Sequence, residues 1–463
     1  MINKLKKLFY FPIAYYFRFF AQIQLAIWKP IIIVVTGSSG KTTLLHLIES
    51  QLQEKARYSH QANSSYGIPF DILGLRRKNL TPEEWVYLFL TAPFTAFKNP
   101  PKEKLYIVEA DCDRPYEGKF LAELLKPEVT LWTNVSRTHT VNFDSIVKKC
   151  HCEDQAKPET KQSQSKDLFA DGKGLPHQSA DWFAMTQNRR RKTTFKVEDA
   201  IAYEFGYFLE ETKSLAIVNG DSELIKNQLN RSKAKVEKVT QTELNNYKVF
   251  KDHTEFRING KDYSINALLP KEASYSILMT LALLDFLKIK PDLSFSKFSL
   301  PPGRCSFFKG INNTIIIDSS YNATPDGVMS ILGMLDQYPS DKKWLVLGDM
   351  IELGNEEQEE HEKLGSLIAS MKLVKVILVG PRVSKYTYEI LKQVQDDKVV
   401  KFLMPKGTLD YLINNLKGGE VVLFKGARFL EGIIEHLLAD KNDVKKLCRR
   451  EKIWQLRRKQ WGL

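Results

Sequence analysis

Short apolar runs alternate along the chain with longer segments whose apolar positions recur at helical spacing. Residues 31–35 form a β-branched run between Pro30 and Gly37, which predicts a buried strand. In residues 42–54 the leucine and isoleucine positions follow the period of a helix. The same alternation predicts further strands at residues 105–108, 129–133, 314–317, 344–347, 374–379 and 421–424. Strands separated by helices indicate an α/β fold with a mostly parallel sheet.

Changes in this pattern predict the domain boundaries of the chain. In residues 148–194 polar residues dominate and the apolar period vanishes, so we expect a flexible surface insertion there. A second α/β unit begins near Pro301. We therefore expect a central domain at residues 31–300, which contains the insertion, and a C-terminal domain at residues 301–463, which ends in a basic tail.

Residues 1–30 form a short amphipathic segment. Polar and basic residues interrupt it, and a central Arg18 would cost ~2.5–3.5 kcal/mol in a membrane, so a membrane span is disfavoured. Two alternatives remain. One is peripheral membrane contact through residues 1–28, with the basic residues Lys4, Lys6 and Lys7 near the start of the segment. The other is packing on the protein's own core. The apolar stripe consists of Ile13, Phe17, Phe20, Ile23 and Ile27.

Composition argues against two classes of protein, nucleic-acid-binding proteins and disulfide-stabilised secreted proteins. The chain has 463 residues, is 43% hydrophobic and carries a formal charge of +13, with basic clusters at residues 189–192 and 441–459. We interpret the tail as a solvated helical face, and since no nucleic-acid-binding signature is present, we expect no nucleic-acid partner. Five cysteines without a repeated spacing favour a reducing, cytoplasmic setting over a disulfide framework. Cys150-His151-Cys152 alone is weak evidence for zinc.

A glycine-rich turn lies between the first predicted strand and helix, where a phosphate-binding loop would be expected. Its glycines let backbone N–H groups approach phosphate oxygens, and the following helix presents its positive end. Lys41 would neutralise phosphate charge, and the Thr42 hydroxyl suits Mg²⁺. We therefore predict ATP binding by Gly37, Ser38, Ser39, Gly40, Lys41, Thr42 and Thr43.

The loop and the motifs that follow it resemble those of the Mur ligase family. The similar segments, in family order, are residues 36–43, residues 63–69, Glu109, Asn134 with His139, residues 219–221, Gly303-Arg304 and residues 318–325. Within the family, residues 347–354 and 425–428 resemble the branch that adds D-alanyl-D-alanine.

This resemblance implies an ATP-dependent ligase of cell-wall synthesis, with a C-terminal Rossmann-like domain. It would join D-alanyl-D-alanine to UDP-N-acetylmuramoyl-tripeptide through an acyl phosphate, and we expect a monomer. ATP and Mg²⁺ are the implied cofactors. The implied catalytic residues are Lys41, Arg304 and His139, the metal ligands Thr42, Glu109 and His139, and the additional ATP-binding residues Asn219, Arg304, Asp318 and Asn322.

Departures from the family pattern leave alternatives. Phe205 aligns where the family has a carbamylated lysine, and Phe cannot ligate a metal, so Glu204, Lys196 or Lys149 are the other candidates. We also expect a reduced N-terminal domain, because the phosphate loop begins at Gly37. The alternatives are a related ligase with a lipid-linked or polyglutamate acceptor, and a non-catalytic ATP-binding protein.

Overall fold

The first sheet of the protein lies around the predicted phosphate loop. The computed structural model describes residues 2–60, 62–77, 81–144, 196–426 and 429–463. Six parallel strands run in the order β2-β3-β1-β4-β5-β6. Their bounds are Ile31–Thr36 (β1), Ala56–Tyr58 (β2), Leu105–Ala110 (β3), Val129–Trp132 (β4), Leu215–Asn219 (β5) and Lys235–Val239 (β6). The expectation of a mostly parallel sheet is confirmed, with strand ends shifted by one or two residues.

Helices cover both faces of this sheet. One face packs on α1, α3, α4, α5 and α6, and the other packs on α2 and α8, so each face has its own apolar cluster. Residues 31–35 are apolar in an unbroken run because β1, between β3 and β4, is covered on both sides. The helices are Ile2–Trp28 (α1), Lys41–Leu52 (α2), Gly67–Leu73 (α3), Pro82–Thr95 (α4), Glu117–Leu125 (α5), Val197–Glu211 (α6), Glu223–Lys226 (α7) and Ala273–Phe286 (α8).

Helix α1 packs on the core of the protein itself. Ala14, Phe17, Ala21 and Trp28 are buried in the first apolar cluster, and Trp28 Nε1 donates a hydrogen bond to Glu103 O at 2.7 Å. Of the predicted stripe, Phe17 is fully buried and Ile13, Phe20 and Ile23 pack partly against the cluster, whereas Ile27 is exposed. In the structure, most of this stripe therefore packs on the protein's own core. Within the described residues, none of the helices combines the length and apolar character needed to cross a membrane.

A small antiparallel sheet follows the first sheet and was not predicted. Its strands are β7 (Leu244–Val249), β8 (Thr254–Ile258) and β9 (Lys261–Ile265). Asn259 and Gly260, which join β8 to β9, both have positive φ. Asn-Gly is the pair that such tight hairpins favour, so the signal was present in the sequence.

The second sheet belongs to the C-terminal unit. Its order is β10-β11-β15-β12-β13-β14, and all strands are parallel except β10. The strands are Ser306–Lys309 (β10), Ile315–Ser319 (β11), Lys343–Gly348 (β12), Lys375–Val379 (β13), Val399–Phe402 (β14) and Val421–Lys425 (β15). The helices are Pro325–Gln337 (α9), Glu357–Ser370 (α10), Tyr388–Gln395 (α11), Pro405–Asn415 (α12), Leu430–Leu437 (α13) and Lys452–Gln460 (α14). The predicted insertion, Lys149 and the Cys150-His151-Cys152 cluster lie outside the described residues.

Candidate active site

The phosphate loop joins β1 to α2 through two glycines in the left-handed region. Gly37 has φ +124° and Gly40 has φ +79°. A Cβ atom on Gly37 would lie 2.3 Å from Thr133 Oγ1, so both the backbone conformation and the close approach of β4 require glycine there. Helix α2 begins at Lys41, directly after the loop, and its free N–H groups face the site at which phosphate would bind.

Polar groups that follow β4 hold the loop in place. Asn134 Oδ1 accepts from Ser39 N at 2.8 Å, and Asn134 Nδ2 donates to Ser39 Oγ at 2.6 Å. Thr133 Oγ1 donates to Ser39 O at 2.7 Å, and Ser136 N donates to Ser38 Oγ at 2.9 Å. The hydroxyls of Ser38 and Ser39, which were predicted to bind ATP, therefore contact the polypeptide in this conformation. They shape the loop whose backbone would meet phosphate.

Lys41 is buried, and acidic groups surround it. Its Nζ donates to Gly37 O at 2.5 Å and forms an ion pair with Asp111 Oδ2 at 2.8 Å. Burial opposes the charge, but the carboxylates of Asp111 and Glu109 outweigh it and hold the pKa of Lys41 above its ordinary value. A full positive charge thus lies beside the phosphate loop at neutral pH.

Carboxylates extend from the end of β3 towards this lysine. Thr42 Oγ1 donates to Glu109 Oε2 at 3.0 Å, so the structure brings together the two metal ligands predicted beside the loop. His139, the third predicted ligand, is grouped instead with Asp111 and Asp113, and one ligand atom from each of these three lies within 4.8 Å of the others. Sequence reasoning missed Asp111 and Asp113, although acids alternate at positions 109, 111 and 113, directly where β3 ends.

The charged groups of this cluster shift one another's pKa values. Burial and the neighbouring Asp111 raise the pKa of Asp113 to about 7. Burial alone would lower the pKa of His139, but its hydrogen bond to Glu352 and the charge of Asp113 raise that pKa to about 9. Carboxylates crowded in this way favour a bound cation, and carboxylate oxygens are what Mg²⁺ prefers. The donor set therefore fits a magnesium ion.

His139 and Arg137 connect the first sheet to the second. His139 Nδ1 lies 2.6 Å from Glu352 Oε2, while Nε2 lies 3.2 Å from Asp113 Oδ1. Arg137 bridges Glu198 on α6, at 2.7 Å, and Glu360 on α10, at 2.9 Å. These contacts place the phosphate loop at the junction of the two α/β units.

In the second unit, the charged residues Arg304, Asp318 and Lys425 lie near one another. Asp318, at the end of β11, is fully buried; its Oδ1 accepts from Ser320 N at 3.0 Å, and its Oδ2 has no hydrogen-bond partner. Burial raises the pKa of Asp318 to about 6 and lowers that of Lys425, at the end of β15, to about 8. Arg304 has its guanidinium 4.5 Å from the ring centre of Tyr321, and its buried Nε also has no partner.

Arg304 faces helix α2. Burial, together with the nearby His60 and Arg304, lowers the pKa of His46 on that helix to about 4. The unpartnered atoms of Arg304 and Asp318 suit a ligand that carries both acceptor and donor groups, as the phosphates and ribose hydroxyls of a nucleotide do. The residues present therefore fit ATP.

Three other predicted ATP-binding residues have less direct evidence. Asn219 is buried at the end of β5, and its Oδ1 accepts from Asp221 N at 2.9 Å, so its side chain shapes a turn. Thr43 is half-buried in the first turn of α2. Asn322 is exposed in the loop between β11 and α9.

The structure corrects the expectation that Glu204 could replace the missing lysine ligand. Both oxygens of Glu204 accept backbone hydrogen bonds at the start of α5, from Tyr116 N at 2.8 Å and Gly118 N at 3.0 Å. Glu204 is thus committed to the N-terminus of a helix, and it is absent from the possible metal clusters found among the described residues. Phe205 is fully buried with its ring centre 6.0 Å from that of Trp132, and Lys196 is exposed just before α6.

Two family domains match the chain. Residues 35–148 match the Mur ligase middle domain, and residues 303–428 match the Mur ligase, glutamate ligase domain; together they cover more than half of the 463 residues. The chain belongs to the Mur ligase family. These matches contain the phosphate loop, Glu109, His139, Arg304 and Asp318.

Three curated relatives of this Mur ligase family member carry the same activity name. UDP-N-acetylmuramoyl-tripeptide--D-alanyl-D-alanine ligase of Rickettsia prowazekii is 29% identical over 180 residues, which is 38% of this chain and 39% of the relative. The enzyme of the same name from Bacillus subtilis is 30% identical over 29% of this chain and 30% of the relative. That of Buchnera aphidicola is 23% identical over 92% of this chain and 81% of the relative. The alignments with the first two therefore span well under half of those relatives.

Solved structures show the same fold. The MurF ligase from Thermotoga maritima in complex with ADP has a TM-score of 0.66 at 20% identity, with 94% of this chain and 84% of that chain covered. MurF from Acinetobacter baumannii also has a TM-score of 0.66, at 18% identity, with 91% and 79% covered. At these identities the similarity establishes the fold of this Mur ligase family member.

Proposed function

We propose that this chain is an ATP-dependent ligase that joins D-alanyl-D-alanine to UDP-N-acetylmuramoyl-tripeptide. The observation that carries the proposal is the cluster that Lys41 on the phosphate loop forms with the acids at the end of β3. Arg304 approaches the same unit from the second one, near His46 on α2. The printed names of the curated relatives supply the substrate pair. We place the activity in the cytoplasm and expect a monomer.

In this proposal ATP binds between the two sheets. The N-terminus of α2 and the Lys41 ammonium neutralise its phosphates, and Arg304 adds a second cation from the other side. Asp318, which has one oxygen without a partner, accepts from a ribose hydroxyl. Thr43, Asn219 and Asn322 complete the predicted nucleotide contacts. Phosphoryl transfer to the substrate carboxylate then forms an acyl phosphate, and the amine of D-alanyl-D-alanine displaces the phosphate.

We further propose that Thr42, Glu109 and His139 hold Mg²⁺, with Asp111 and Asp113 as additional oxygen ligands. Bound Mg²⁺ would neutralise charge on the transferring phosphoryl group. The residues themselves arrange the site: Thr42 orients Glu109 through their 3.0 Å hydrogen bond, and His139 is held between Asp113 and Glu352. Because only neutral imidazole can ligate a metal, His139 would give up its proton when Mg²⁺ binds.

Exclusion of water is the task of the junction itself. An acyl phosphate hydrolyses in water, so the two units must stay closed around it. The Arg137 and His139 bridges support closure, because they connect the loop after β4 to α10 and to Glu352. We propose that residues 31–300 and 301–463 are the two domains that close around the acyl phosphate. The N-terminal segment at residues 1–30 precedes them in the chain. Peripheral membrane contact through residues 1–28 remains a proposal.

ADP release from the purified full-length chain tests this function. We expect release that requires Mg²⁺, UDP-N-acetylmuramoyl-tripeptide and D-alanyl-D-alanine together, and that stops when any one of them is omitted. Tripeptides that differ in their third residue would define the acceptor. Release stimulated only by a lipid-linked precursor or by a polyglutamate acceptor would overturn the substrate assignment, and absence of release with every acceptor would overturn the enzyme assignment.

A further inference from the structure

After its first turn, helix α4 carries no charged side chain on any of its faces. Residues 85–97, which run just past its C-terminal end, contain no Asp, Glu, Lys, Arg or His. One face is the expected core face, where Leu88, Ala92 and Ala96 are buried and Trp85 and Phe89 pack against the first apolar cluster. A helix that is apolar on all sides normally lies inside a large protein or against lipid.

The opposite face of this segment is exposed. Its side chains recur every three or four residues, so they form one stripe. We call this stripe the α4 face, and it consists of Val86 (59% exposed), Tyr87 (61%), Leu90 (66%), Phe94 (75%) and Phe97 (69%). Scattered apolar residues on a surface are ordinary, but a contiguous stripe of this size marks an interaction site.

Basic side chains stand at both ends of the α4 face. Arg76 and Arg77 are exposed just before the helix, and Lys98, Lys102 and Lys104 are exposed just after it. The acids nearby are Glu83 and Glu84 in the first turn of α4 and Glu103 between Lys102 and Lys104, so five basic residues against three acids leave a net positive charge. An apolar stripe rich in aromatic residues and flanked by cations matches the boundary between lipid headgroups and acyl chains.

The length of the segment points to the same environment. The thirteen uncharged residues 85–97 rise only ~20 Å as a helix, well short of the ~30 Å hydrocarbon core, and Pro93 interrupts the helix interior. A segment of this length lies along an interface and does not cross it. A second copy of the chain is a poorer occupant, because stacking two such faces would bring their basic ends together.

We propose that the α4 face docks onto an anionic lipid bilayer, with its apolar side chains at the acyl boundary and the flanking arginines and lysines on the headgroups. Helix α4 packs beside α1 through Phe17 and Phe89, so the α4 face would add a second contact to the one proposed for residues 1–28. The proposal does not depend on the proposed ligase activity. Its consequence is that the first α/β unit, which carries the phosphate loop, would bind at a membrane surface.

Vesicle cosedimentation of the full chain tests the proposal. We expect binding to phosphatidylcholine vesicles that contain phosphatidylglycerol, and at least ~tenfold weaker binding by the double variant Leu90→Asp/Phe94→Asp. The matched control is Val394→Asp on α11, whose side chain is 65% exposed on the other unit, and it should bind as the unsubstituted chain does. Arg76→Glu/Arg77→Glu should remove the preference for phosphatidylglycerol.

Two further measurements keep the test decisive. All variants should keep the Tm of the unsubstituted chain, since the substituted side chains are exposed, and their ADP release with soluble substrates should not change. The proposal is overturned if the unsubstituted chain does not bind these vesicles, or if the α4 double variant binds them equally well. It is also overturned if light scattering shows a dimer that the α4 double variant converts to a monomer, because the face would then be a protein interface.

Discussion

The ion pair between Lys41 and Asp111 allows a quantitative prediction for the variant Lys41→Met. The prediction covers both stability and turnover, because the pair is buried and Lys41 is also proposed to bind phosphate. The side chains are only 7% and 13% exposed, and Lys41 Nζ lies 2.8 Å from Asp111 Oδ2. Lys41→Met removes the charge at nearly constant length and leaves a buried carboxylate without its partner. Breaking a buried pair in this way costs ~3–5 kcal/mol, and we expect ~3 kcal/mol because Asp111 retains some contact with water.

A double-mutant cycle separates this loss of stability from the loss of function. Asp111→Asn in the Lys41→Met background removes the stranded charge, so the double variant should regain ~2 kcal/mol or more. Catalysis should not recover. A charge about 4 Å from phosphate is worth ~4 kcal/mol at an effective dielectric constant of about 20, which corresponds to a loss of ~10³-fold in turnover.

The assays are urea unfolding followed by tryptophan fluorescence, and ADP release at saturating Mg²⁺. Asp111→Asn alone is the control: it keeps the lysine, so its turnover should recover when the Mg²⁺ concentration is raised. Ordinary turnover by the folded double variant would refute the role of Lys41 in phosphate binding. A coupling energy near zero would show instead that the 2.8 Å contact does not stabilise the fold.

Four further predictions concern the buried residues Glu204, Asp318 and Phe205 and the dependence of turnover on Mg²⁺ and bicarbonate. Burial raises the pKa of Glu204 from 4.5 to about 7, so its unfavourable contribution, ~3 kcal/mol, should develop as pH rises from 4.5 to 7 and then stay constant. The Tm advantage of Glu204→Gln over the unsubstituted chain should grow across that window; parallel Tm curves would contradict this. Asp318→Asn should raise Tm slightly by removing a buried charge with an unpartnered oxygen, yet weaken ADP binding ~tenfold in calorimetry, and unchanged binding would remove Asp318 from the nucleotide site. Phe205→Ala should lower the free energy of unfolding by ~3–5 kcal/mol, because Phe205 is fully buried. ADP release by the unsubstituted chain should require a high Mg²⁺ concentration and should not respond to bicarbonate. If enzyme from which carbon dioxide has been stripped regains activity when bicarbonate is added, a carbamate forms.

Much of the candidate site could be predicted because its parts are close together in the chain. The β-branched run, the glycines and the helical period of β1, the phosphate loop and α2 all lie within residues 31–52. Turn conformation and the position of Lys41 at a helix start depend on neighbouring residues, so their pattern is readable. Glu109 was predictable for the same reason, as it lies at the end of a strand. Asp111 and Asp113 could have been found from their alternation with it.

Contacts between distant segments could not be predicted. His139 meets Glu352 across 213 positions, and Glu204 meets Gly118 across 86. Nothing in the local pattern around Glu204 distinguishes a metal ligand from a carboxylate that accepts hydrogen bonds at the start of a helix. The partner is chosen by how α5 and α6 pack.

Helices α1 and α4 of the first unit show which features follow from the sequence alone and which depend on tertiary packing. The sequence by itself determined the amphipathic helical pattern that α1 (Ile2–Trp28) shows, since periodicity is a property of neighbouring positions. It did not determine which apolar surface becomes buried, because every apolar face competes for the same limited core. In the folded chain α1 places Phe17 in that core, while the outer face of α4, with Leu90 and Phe94, is left exposed to solvent. Only the packing of the whole protein decides that outcome.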